Sequence, residues 1–166
     1  MISRMTSYIC LGRLIPAFAL LAAASWHSSL AQTNPALSIA PPGQVTIKRG
    51  GEAELKLKAE VRPGFHVNSN APNDEFLIPL KLTWPSGPVA AEQVSYPKPQ
   101  SEHYAFSTNP VSVFSGNFEI VTRFKAAAGA TPGLNGVTGK LRFQACNEKE
   151  CLAPRTIDVR VTLDVQ

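Results

Sequence analysis

The chain has 166 residues, of which 17% are charged and 44% hydrophobic, with a formal net charge of +4. That length is enough for one domain with its own core. The charges are scattered, with no basic run interleaved with aromatics, which argues against nucleic-acid binding and for an ordinary solvated surface.

Residues 1–31 read as a secretory signal peptide. Arg4 and Arg13 give a positive start, Leu14 to Trp26 an apolar run, and Ser29-Leu30-Ala31 a small-x-small cleavage site, so the mature chain is expected to begin at Gln32. The apolar run falls short of the roughly 20 residues of a comfortable span, and nothing later could cross a bilayer. No stable membrane insertion is therefore expected after cleavage. Cys10 precedes the apolar run without the approach of a lipobox, and it is expected to leave with the signal. Three cysteines then become a mature pair, Cys146 and Cys151, in a compartment that permits a disulfide. The net charge falls to +2, since two arginines and no acids are removed.

Residues 32–43, with three prolines, predict an extended N-terminal lead, and 44–166 a single domain. Gln44 to Lys48 alternates in and out before the turn at Gly50-Gly51. Glu54 to Val61 alternates again, with Leu55, Leu57, Ala59 and Val61 on one face, the period of a half-buried strand. Arg62-Pro63-Gly64 is a turn, followed by Phe65-His66-Val67. Pro79 to Trp84 predicts a strand closed by Pro85-Ser86-Gly87-Pro88, and Val94 to Tyr96 a short one. Val111 to Phe114 and Phe118 to Phe124 flank the turn Ser115-Gly116-Asn117. A loop rich in Ala and Gly, residues 126–136, leads to a strand from Gly139 to Ala145, and the last strand runs from Arg155 to Val165. No helix of ordinary length has a convincing pattern, and 14 prolines oppose one. Short strands with Gly/Pro turns predict an all-β fold, an immunoglobulin-like β-sandwich. The Cys…Trp…Cys arrangement of antibody domains is absent, and cysteines this close in sequence cannot join two sheets across a core.

Cys146 and Cys151 are separated by four polar residues and flanked by strand patterns, so a disulfide across a hairpin is expected. On spacing alone a structural staple and a redox pair are equally open, since closing a loop of about six residues stabilises by only about 2 kcal/mol. A Cys₂His₂ metal site with His66 and His103 is the weaker reading, because the spacing is wider than the usual knuckle and the histidines are unpaired; no metal or other cofactor is expected. Glu148, Lys149 and Glu150 between the cysteines carry net negative charge, which disfavours thiolate. Neither thiol is thus a self-activated nucleophile, and the pair suits a passive relay attacked by a partner's thiolate.

The run Cys146-Asn147-Glu148-Lys149-Glu150-Cys151-Leu152-Ala153-Pro154, after an aromatic-rich strand, resembles the active-site hairpin of the N-terminal periplasmic domain of DsbD, the bacterial thiol:disulfide interchange protein. Ala153 stands where the family usually has the first of its prolines. Pro63 to Asn70, Ile78-Pro79-Leu80, Tyr96-Pro97 and Val113 to Gly116 extend the likeness, to a branch called disulfide bond corrector proteins. The resemblance implies an immunoglobulin-like domain that cycles Cys146 and Cys151 between dithiol and disulfide. It would act as a component of a protein-disulfide reductase. Reducing equivalents would come from a membrane electron donor of the DsbD type and pass to periplasmic thioredoxin-like proteins, including those of cytochrome c biogenesis. The domain would work in the periplasm as a monomer, with its donor a separate protein. It also implies a cap loop at Glu102-His103-Tyr104-Ala105-Phe106, with Phe106 as the shield over the disulfide, and puts His66 and Asn68 beside the cysteines. Read without the family, Phe106 is a core residue and His66 a satisfied sandwich histidine. The rival from another class is a non-catalytic secreted binding or assembly module with a structural hairpin disulfide, and a weaker one a metal carrier.

Overall fold

The computed structural model describes residues 35–166; the predicted signal peptide and Cys10 lie outside them. Among the described residues there are twelve strands and no helix: β1 Leu37–Ile39, β2 Val45–Ile47, β3 Glu52–Val61, β4 His66–Asn68, β5 Lys81–Thr83, β6 Val89–Ser95, β7 Gln100–Glu102, β8 Val111–Phe114, β9 Asn117–Ala126, β10 Gly133–Phe143, β11 Ala145–Cys146 and β12 Arg155–Val165. They form three four-stranded sheets, in the orders β1-β3-β9-β6, β2-β12-β10-β5 and β11-β4-β8-β7.

The first two sheets make an immunoglobulin-like sandwich. β3 and β12 alternate strictly, burying Leu55, Leu57, Ala59 and Val61 from one and Val159, Val161, Leu163 and Val165 from the other. The core falls into two clusters, one around Leu57, Ile120 and Leu141, the other around Leu55, Phe124 and Leu163. Trp84 packs against both. Its ring meets Phe124 edge-on at 5.0 Å, and its Nε1 donates to the buried Thr122 Oγ1 at 3.1 Å, so the indole is satisfied without leaving the core. Gly139 lies beneath the ring: a Cβ there would come within 2.7 Å of it, so this position in β10 admits no side chain.

The third sheet is an outgrowth of both layers. The β3–β9 ladder ends where Val61 N–H donates to Gly116 O, and the two chains turn away to become β4 and β8. Gly64 and Gly116 lie at this bend with φ of 81° and 62°, conformations that glycine alone adopts at no steric cost. From the opposite layer, β10 leaves its sheet at Gln144 and its continuation β11 pairs with β4. Both faces of β4 and β8 are buried. The core covers one, through Val67 and Phe114.

Several boundaries differ from the sequence expectation. Residues 37–39 of the expected lead form an edge strand against β3, with Leu37 buried. β6 begins at Val89 rather than Val94, because a register shift between Ala91 and Gln93 breaks the alternation. β7 is exposed throughout, so it carries no hydrophobic pattern at all. Residues 133–136 of the expected loop are paired with β12, from Gly133 opposite Val165 to Gly136 opposite Thr162. Their composition is poor for a strand, and the partner strand dictates their conformation.

Candidate functional site

Asn147 organises the cysteine hairpin. Its side-chain Oδ1 accepts from the N–H groups of Lys149 and Glu150 at 2.8 and 2.9 Å, and its own N–H donates to Glu150 O. This is the local turn-forming chemistry that asparagine supplies. Leu152 N–H donates to Ala145 O on the far side, which leaves Cys146 and Cys151 as the facing, non-hydrogen-bonded pair between two bonded ones. Such pairs bring side chains closest. The two sulfurs form a disulfide with the Cα atoms 3.9 Å apart. Cys146 is fully buried and Cys151 partly exposed. The two sulfurs are therefore unequal, an asymmetry that neighbouring residue types do not reveal.

β11 lies antiparallel to β4 with Ala145 opposite Val67 and Cys146 opposite His66. Ala145 and Val67 belong to the core cluster. Side chains alternate across a strand, so Cys146, His66 and Asn68 share the outward face of the third sheet. Loops cover that face. The loop between β7 and β8 turns at Tyr104, where Ser107 N–H donates to Tyr104 O, and this turn stacks Tyr104 and Phe106 at 5.3 Å. Tyr104 in turn stacks on His66 at 4.0 Å, while Phe106 is 6.2 Å from the imidazole and 36% exposed. The ring nearest the residue opposite Cys146 is thus that of Tyr104, with Phe106 beside it. Phe106 is not a core residue. Glu102 and His103 are exposed at the start of the loop.

The Tyr104 hydroxyl is held above its ordinary pKa, first by burial and then by the carboxylates of Glu102 and Glu148. Glu148 sits at the tip of the cysteine hairpin, so the loop and the hairpin feel one another electrostatically. His66 is 3% exposed, and its Nε2 has no hydrogen-bond partner. It is not the satisfied histidine of an ordinary sandwich. Burial pushes the imidazole down from 6.5 to about 4. In the unfolded chain this group takes up its proton near 6.5 and in the folded chain only near 4, so between these values the unfolded state binds more protons. Stability contributed by His66 is therefore complete above pH 6.5 and declines as pH falls towards 4. Urea unfolding should show the wild type losing on the order of 1–2 kcal/mol more between pH 7 and pH 5 than His66→Phe does. Equal losses would mean that the imidazole protonates in place.

Asn68, fully buried, donates through Nδ2 to Ile78 O at 3.0 Å and to Gln144 Oε1 at 3.1 Å, and its Oδ1 is unpartnered. Gln144 also accepts from Ile78 N–H and donates to Leu152 O. One side chain thus ties the residue after Cys151 to β4 and to the 69–79 segment. Asn73 Nδ2 donates to Pro110 O and links that segment to the loop between β7 and β8. Gln144 is absent from the sequence expectation. Its only sequence signal is a polar residue interrupting the apolar end of β10. No group of three or more His, Cys, Asp or Glu residues suited to a metal occurs among the described residues, and no helix there is long and apolar enough to cross a membrane.

An immunoglobulin-like sandwich whose end sheet carries a hairpin disulfide, with an aromatic loop stacked on the histidine opposite Cys146, is a disulfide-bearing β-domain. The family described as Thiol:disulfide interchange protein DsbD, N-terminal, matches residues 36–163, and the chain belongs to it. No curated protein matches it. Among solved structures it is similar to the N-terminal periplasmic domain of ScsB from Proteus mirabilis, at 12% identity and a TM-score of 0.56 over 76% of this chain. The match takes in 46% of the ScsB chain, so this chain spans about half the length of that relative. The reduced N-terminal domain of DsbD from Neisseria meningitidis aligns at 14% identity, with a TM-score of 0.46 over 77% of this chain and 82% of that one. At such identities the structural likeness speaks to the fold alone.

Proposed function

We propose that the domain is a thiol–disulfide exchange relay, cycling Cys146 and Cys151 between disulfide and dithiol. The observation that carries this reading is the unequal pair: Cys146 buried, Cys151 partly exposed, and an aromatic turn stacked on His66, the residue opposite Cys146. A staple needs no such arrangement. For exchange it sets an order. A partner thiolate attacks the accessible Cys151 sulfur, the S–S bond breaks, and its electron pair leaves on Cys146. The mixed disulfide at Cys151 is resolved when the Cys146 thiolate attacks it, or when a second thiol of the partner does.

Family membership supports the same reading. By the chemistry of that family, the partners are thioredoxin-like proteins and a membrane electron donor of the DsbD type, met in the periplasm after export. The domain then serves as one component of a protein-disulfide reductase, with cytochrome c biogenesis among the processes it supplies. The surface round the site suits protein partners. Of the four large apolar side chains exposed among the described residues, Phe76, Phe106 and Leu152 lie on the segments bordering the disulfide, and Leu134 is the fourth.

The test is the reduction potential of the pair in a glutathione buffer series. A value between roughly −180 and −270 mV, the range of exchange proteins, is expected; one below about −300 mV, as in structural disulfides, would make the pair a staple.

A further inference from the structure

We propose that His66 is the positioning and proton-handling residue for Cys146: when the disulfide opens, its unpartnered Nε2 becomes the partner of the sulfur released opposite it. The inference rests on the exchange reading for its purpose, though not for its test.

The geometry comes from the register. His66 and Cys146 are direct neighbours across β4 and β11, on one face, where facing Cβ atoms lie about 4.5–5.5 Å apart. The imidazole cannot swing away, because Tyr104 lies flat on it at 4.0 Å with an interplanar angle of 18°. Its Nε2 is sealed from water and has no partner while the disulfide is intact. A buried polar atom without a partner costs free energy, and such atoms call for an explanation. The partner of Nε2 exists in the other redox state.

The need for such a partner follows from the burial of Cys146. When a partner thiolate joins Cys151, the electron pair of the broken bond stays on the Cys146 sulfur as a thiolate shut away from solvent. An uncompensated buried charge is unfavourable. His66 then takes up one proton from water, and the imidazolium and the thiolate form a neutral pair. Transfer of that proton to sulfur gives the thiol, and its return gives back the nucleophile for the resolving step. The other groups facing the imidazole do not replace it. Tyr104 and Phe106 present rings from the cap, and Asn68 beside it on β4 is an amide. The carboxylates of Glu102 and Glu148 act on Tyr104.

The experiment is an NMR titration of the histidine imidazoles in the full chain, as the disulfide and after reduction by a phosphine, with exposed His103 as the internal control. The His66 midpoint should rise on reduction by about 1–3 pH units, the shift an adjacent opposite charge produces, while that of His103 stays put. In Cys151→Ala, thiolate absorbance should place the Cys146 midpoint below the value of about 8.5 for a free thiol, and adding His66→Phe should move it upward. An unmoved His66 midpoint would overturn the proposal, with or without a folded His66→Phe variant. Because a phosphine reduces the pair without any partner, this result is independent of the potential that tests the exchange reading.

Discussion

Cys151→Ser should abolish exchange and leave a folded protein whose remaining thiol is nearly unreactive. Cys146→Ser should also abolish turnover, but with its thiol open to attack. The asymmetry follows from burial: Cys146, paired with His66 of β4, is fully buried, whereas Cys151 is partly exposed at the start of the outgoing chain. With serine at 146, the Cys151 thiolate can attack the disulfide of an oxidised partner, expelling one partner sulfur as thiolate, and no second thiol of the domain is left to release the product, so mixed disulfides accumulate. With serine at 151, no sulfur is within reach. Both variants forgo the closure of a loop of about six residues, a loss of about 2 kcal/mol. A domain of ordinary stability, about 5–15 kcal/mol, survives that. Alkylation of the two native variants by a maleimide, followed by mass, should differ by on the order of a hundredfold or more, as opening of the cover by about 3 kcal/mol requires. Equal rates would mean that the cover does not decide which sulfur is met first.

Where hydrophobic period and burial agree, the sequence is a sufficient guide. Leu55 to Val61 and Ile157 to Val165 alternate because each strand has one wet face and one dry face, and both strands lie where the pattern puts them. The pattern fails where that condition fails. β4 and β8 are covered on both sides, so His66, Asn68 and Ser112 are buried polar residues at positions that read as outward. β7 is wet on both sides and shows nothing. The cysteine hairpin was legible because Asn147 and the two cysteines act within a few residues of one another. The roles around it were not. Gln144 joins residues 78, 68 and 152, and His66 meets Tyr104 across two loops; such long-range contacts leave no local period. Family resemblance singles out the segment Glu102 to Phe106, and the structure puts Tyr104 nearer to His66 than Phe106, at 4.0 against 6.2 Å.

That order makes Tyr104→Ala the substitution with the larger effect on access to the disulfide. Tyr104 belongs to two stacked pairs, with His66 at 4.0 Å and Phe106 at 5.3 Å, and its phenol is partly buried. Aromatic pairs contribute about 0.5–1.5 kcal/mol each beyond their area, so losing two loosens the closed loop by about 1–3 kcal/mol. The fraction of time the loop stands open then rises by roughly five- to 150-fold. Reduction by dithiothreitol, sampled by acid quench and alkylation, should accelerate in proportion as long as attack requires the open loop. Phe106→Ala removes the 5.3 Å pair with Tyr104 and the longer 6.2 Å pair with His66 but leaves Tyr104 seated on His66 at 4.0 Å, so its acceleration should be smaller. Tyr104→Phe keeps the ring and loses only the hydroxyl that Glu102 and Glu148 influence, and its rate should stay near that of the wild type. If Tyr104→Ala were reduced no faster than the wild type, the loop would not gate the disulfide. If Phe106→Ala outran it, Phe106 rather than Tyr104 would be the latch.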